Sequence, residues 1–115
     1  MLKRILIITA LLLIGWFGTN LDLPLYFAHM DKLYHCAGFT ILAFLMTQLI
    51  EKPNKLNWIL IIGTLLLFGI GDEVRQIYMP YRQASIFDLL FDTFGILNGC
   101  YVGKLLLTYQ KGVAK

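Results

Sequence analysis

Hydrophobic and polar positions divide the 115-residue chain into four apolar blocks joined by short polar segments. The blocks cover roughly residues 3–19, 33–50, 56–71 and 87–107, and within each the apolar residues run on continuously, with neither strict alternation nor a narrow stripe. A hydrocarbon layer about 30 Å thick takes about 17 to 25 helical residues to cross, so each block has the length of a span with modest tilt or snorkelling flanks. An open sheet would leave backbone groups unpaired in lipid. The pattern therefore predicts an all-α fold, a polytopic membrane protein of one domain built as a bundle of four transmembrane helices.

Composition agrees: 58% of residues are hydrophobic and 14% aromatic, and the mean hydropathy is +0.70. The first block also has the basic start and apolar middle of a secretory signal. Trp16 and Phe17 follow its Leu-rich run, however, and no A-x-A-like cleavage site appears, which favours a retained helix.

Charge supplies an orientation. Lys3, Arg4, Lys52, Lys55, Lys104, Lys111 and Lys115 fall on one side of the predicted bundle, which the positive-inside bias makes cytoplasmic, together with both termini. The other side holds Lys32, Arg75 and Arg82 against Asp22, Asp31, Asp72, Glu73, Asp88 and Asp92. The net charge of +3 thus conceals two faces of opposite sign, as expected for membrane insertion with the basic face toward anionic inner-leaflet lipid. It gives no support to nucleic-acid binding. The turn EKPNK, marked by Pro53 and Asn54, is a tight hairpin, while the outer connections at 20–32 and 77–86 are longer.

Candidate chemistry gathers on the outer side. Asp31 and His35 are four apart and share a face of the second helix. Glu73 and Gln76 share a face near the outer end of the third, where Asp72 can reach Arg75 or Gln76. Asp88 and Asp92 repeat at four on the last helix, with Ser85 three before Asp88 as a capping box. Carboxylates at that spacing repel, so their shared face wants a cation or a proton. A carboxylate deep in hydrocarbon costs on the order of 2.5–3.5 kcal/mol, so such groups turn toward the bundle interior or an aqueous cavity, offset by Lys32, Arg75, Arg82 or a protonated His35. The plainer alternatives are helix caps, end-of-helix salt bridges and polar packing.

Below Asp92, Gly95, Gly99 and Gly103 recur every four residues, a smooth stripe for close helix packing. Packing within the bundle is the favoured use, homodimerisation the other. Cys36 lies about 7 Å below Asp31 and Cys100 about 18 Å below Asp88 along their helices, so a disulfide is not expected and both thiols read as packing residues. No CxxC, Gly-rich phosphate loop, GxSxG elbow or HExxH is present.

The segments DKLYHCAGFTILAF, GDEVRQIYMPYR and ASIFDLLFDTFGILNG resemble, in order and spacing, the signature of VanZ-like proteins, small bacterial membrane proteins named for a teicoplanin-resistance determinant. The matching positions are Asp31, Lys32, His35, Glu73, Gln76, Pro80, Arg82, Asp88 and Gly95. Asp92 departs from the pattern, which usually has Asn four residues after the Asp. The resemblance implies an effect on glycopeptide susceptibility through what the antibiotic meets at the cell surface.

Two readings of the outer layer stay open. In one it binds a membrane lipid or lipid-linked envelope component, with Lys32 and Arg82 holding an anionic head group, Gln76 orienting it, and Asp88 and Asp92 completing the pocket. In the other the same cavity is catalytic on such a substrate, with His35 as base or nucleophile, Asp31 or Glu73 orienting it, and Arg82 stabilising phosphate charge. A divalent cation between His35, Glu73, Asp88 and Asp92 is a third expectation, since oxygen ligands with one imidazole suit several metals.

Overall fold

A computed structural model describes residues 1–20, 30–78 and 85–113, without the side chains of residues 17–20 and 31. The described residues form four helices and no strand: α1 (Leu2–Asn20), α2 (Met30–Thr47), α3 (Lys55–Ile77) and α4 (Ile86–Val113). The all-helical expectation holds. By length and composition, α3 and α4 are long and apolar enough to cross a membrane, while the apolar stretch Lys32–Thr47 of α2 is shorter. At 1.5 Å per residue, α3 extends about 34 Å and α4 about 42 Å.

The helix ends depart from the apolar blocks for local reasons. The apolar block of α3 stops at Gly71, but the helix continues to Ile77 because its polar residues bond one another along the axis. Arg75 Nε and Nη2 donate to Asp72 Oδ1 at 3.1 and 2.8 Å, and Gln76 Nε2 donates to Asp72 Oδ2 at 3.0 Å. The tip closes when the Tyr78 N–H donates to the Arg75 carbonyl at 3.1 Å. At its start, Asn54 caps α3 by accepting the Asn57 N–H at 2.8 Å. The predicted turn is therefore built as a cap.

The second helix ends at Thr47, short of residue 50. The Gln48, Leu49 and Ile50 N–H groups donate to the carbonyls three residues earlier, at 3.1 Å each, which tightens the chain into the turn. The fourth helix runs to Val113, six residues past its apolar block, through the polar segment that contains Thr108 and Lys111.

The interior is organised by α2 and α4, which make the most extensive interface. A Cβ on Gly95 would collide with the Cys36 carbonyl, one on Gly99 with the Thr40 carbonyl and Ala43, and one on Gly103 with the Thr47 side chain. Both partner series ascend, so the two helices run parallel, and the missing side chains let their backbones touch. The stripe is thus occupied within the chain; a dimer contact through it would require α2 to leave. The thiols Cys36 and Cys100 are both free.

Phe39, Leu42, Ala43, Ile61, Leu65, Ile96 and Cys100 form the apolar core beside this seam. The rings of Phe39 and Phe68 meet at 6.0 Å between centroids, tilted by 57°. Facing outward are large apolar side chains, among them Leu12, Trp16, Leu67 and Phe94, the surface a bilayer would cover. At the end away from Asp88 and Asp92, Arg4 pairs with Glu51 and joins α1 to the α2–α3 turn.

Candidate functional site

The polar groups of α2, α3 and α4 meet at one end of the bundle, directly above the glycine stripe. The parallel register decides the pairing. Lys32 and His35 are successive residues on one face of α2, and Asp88 and Asp92 are their counterparts one helical turn apart on α4. Lys32 Nζ lies 3.2 Å from Asp88 Oδ1, and His35 Nδ1 lies 2.8 Å from Asp92 Oδ1. Each acid of the repeating pair therefore has its own α2 partner, which offsets the repulsion expected between them.

Burial grades across these pairs. Asp88 and Asp92 have 5% and 1% of their side chains exposed, whereas Lys32 and His35 each have 16%. The acids are the inner members and the nitrogen groups the outer ones. Asp92 is pressed toward α3, where a Cβ on Gly69 would stand 3.1 Å from its Oδ2. That close approach leaves a Cβ little room, a role for Gly69 that residue spacing alone did not single out.

Glu73 completes the layer through an unexpected bond. The spacing from Ser85 to Asp88 predicts a reciprocal capping box, in which the Asp88 carboxylate reaches back to the Ser85 N–H. Instead, the Ser85 N–H donates to Glu73 Oε2 at 3.0 Å, and the Ser85 hydroxyl accepts the Phe87 N–H at 3.2 Å. Glu73 thus ties the end of α3 to the start of α4, leaving the Asp88 carboxylate to face Lys32. Buried Gln76 is held by Asp72, one turn below on the same helix.

Satisfaction is incomplete. Glu73 Oε1, Asp88 Oδ1 and Asp92 Oδ2 are buried without a hydrogen bond among the described residues. For Asp88 Oδ1, the nearby ammonium supplies charge at 3.2 Å without hydrogen-bond geometry. A ring nitrogen of His35 and one carboxylate oxygen each from Glu73 and Asp88 all lie within 4.8 Å of one another. Chemically, the arrangement offers an oriented imidazole, an ammonium near the surface and carboxylate oxygens with unused capacity.

The expected residues sort accordingly. Lys32, His35, Glu73, Asp88 and Asp92 are brought together, with Gln76 held by Asp72. Asp31 lies in the first turn of α2 with its side chain outside the described part, and Arg82 lies outside the described residues altogether. Among the described side chains, Asp92 orients His35, because the parallel seam puts it against Nδ1. A cavity of about 430 Å³, lined by Arg4, Met46, Glu51, Lys52 and Asn57 among others, lies at the opposite end of the bundle.

The VanZ/LLP1 family model matches residues 4–107, nearly the whole chain and all of the polar layer. The chain belongs to the VanZ/LLP1 family. No curated protein and no solved structure matches it. For this VanZ/LLP1 member, the two helices with the length and apolarity of spans fit a membrane protein.

Proposed function

We propose that the protein is a four-span bundle of the bacterial cytoplasmic membrane, with both termini cytoplasmic, whose outer polar layer binds the head group of a lipid or lipid-linked envelope component. The observation that carries this reading is the grading of burial: Lys32 and His35 reach the surface while Asp88 and Asp92 hold them from within. An ammonium and an imidazole so held suit a phosphate-bearing head group, and Arg82, from the neighbouring connection, joins them in this proposal. The shorter apolar length of α2 is accommodated by local bilayer thinning and snorkelling of Lys32. Binding or masking such a component would change what a glycopeptide such as teicoplanin meets, the route by which this member would contribute to resistance.

A catalytic reading has one specific observation in its favour, the 2.8 Å contact between His35 Nδ1 and Asp92 Oδ1. A carboxylate on Nδ1 fixes the tautomer and leaves Nε2 as the base or nucleophile. The test is mass spectrometry of the lipids that copurify with the protein and of the envelope lipids of cells with and without it. Binding predicts that a phosphate-bearing lipid copurifies and is depleted by Lys32→Ala. Catalysis predicts a changed cellular lipid that returns to its original level with His35→Ala, while copurification persists. Finding neither an enriched nor an altered lipid would overturn both.

A further inference from the structure

We infer that His35, Glu73 and Asp88 form a binding site for one first-row divalent cation of the Zn²⁺ or Mn²⁺ type, with Asp92 positioning His35 from behind. The inference stands without the lipid reading, since it concerns groups already gathered in the protein alone. Three residues from three helices bring one ligand atom each within 4.8 Å of one another. An ion with ligand distances of about 2.0–2.2 Å would draw such atoms about 1 Å closer together, a shift that side-chain rotation can supply. One imidazole with two carboxylates is a borderline donor set, suited to Zn²⁺ or Mn²⁺ and poor for a soft ion.

Two independent observations point to a ligand. Both carboxylates of the cluster keep a buried oxygen without a hydrogen bond among the described residues, Glu73 Oε1 and Asp88 Oδ1, the second with only the Lys32 ammonium beside it at 3.2 Å, and Asp88 has 3% of its surface exposed. Unused buried carboxylate oxygens are costly, and a cation is the species that both can share. In addition, His35 already stands as metal-ligating histidines do: one ring nitrogen is held by a carboxylate, which fixes the tautomer, and the other remains for coordination. Asp92 is accordingly assigned to orientation and not to ligation. Lys32 supplies the neutralising charge beside Asp88 and competes with the ion, so that cation binding and the Lys32–Asp88 contact exclude one another.

The test uses the full-length chain, purified in detergent after chelation, and titrated calorimetrically with Zn²⁺ or Mn²⁺ alone, with no lipid added. One ion per chain is expected. Glu73→Gln and Asp88→Asn each weaken binding by at least about tenfold, Asp92→Asn weakens it by about 10- to 100-fold while the ligands remain, and Lys32→Gln tightens it. Circular dichroism establishes that each variant is folded. Electron spin-echo spectra of Mn²⁺ bound to the wild type read the histidine directly as a nitrogen coupling, whatever the variants do. Absence of stoichiometric binding, of the nitrogen coupling, or of any loss in folded Glu73→Gln and Asp88→Asn would each overturn the site. Lipid copurification is scored separately, so the head-group reading can fail while this one holds, and the reverse.

Discussion

The seam between α2 and α4 has two halves built on one register by opposite means. In the lower half, Gly95, Gly99 and Gly103 remove side chains so that Cys36, Thr40, Ala43 and Thr47 can touch the α4 backbone. In the upper half, Asp88 and Asp92 occupy the same face of α4, and the space is filled by Lys32 and His35. The lower half sets how close the helices come and in which direction they run. The upper half inherits that geometry, so its ionisable groups need no loop to bring them together. Without the glycines, the distances in the polar layer would have no support.

Removing a buried partner should break the comparison most strongly. Asp92→Ala strands His35 and is expected to cost about 3–5 kcal/mol of stability in detergent unfolding, while Asp92→Asn, which can still accept from Nδ1, recovers most of it. Gly99→Leu attacks the other half by forcing atoms into the Thr40 carbonyl and Ala43, for about 3 kcal/mol, and should lower helix-pair stability even with every charged group intact. Glu73→Ala removes the acceptor of the Ser85 N–H at the start of α4, for about 1 kcal/mol by analogy with loss of a cap, with Glu73→Gln milder. Arg4→Ala, at the far end, breaks an exposed ion pair and should change stability by no more than about 1 kcal/mol. Should Arg4→Ala rival Asp92→Ala, burial would not be what makes the upper half matter.

Much of this was legible in the chain. Continuous apolar blocks fixed the number of helices, and the spacing of four on α4 placed both aspartates and all three glycines on one face. The pairing of Asp72 with Arg75 and Gln76 was also readable, being local to one helix. What spacing left undecided was contact between helices. Nothing in residues 69 or 85 taken alone says that Gly69 lets Asp92 approach α3, or that Glu73 takes the Ser85 N–H from the expected capping box. The contact of His35 with Asp92 escaped the spacing for the same reason: the two are 57 residues apart in the chain and adjacent only in space.

The account turns on a parallel α2–α4 seam that carries the polar layer at one end, and oxidative cross-linking in native membranes tests it most directly. With Cys36 and Cys100 replaced by Ala, cysteine pairs at 32 with 88 and at 35 with 92 are expected to link efficiently, while 47 with 92 does not. A link between 47 and 92, or failure of both expected pairs, would contradict the register and with it the convergence of Lys32, His35, Asp88 and Asp92.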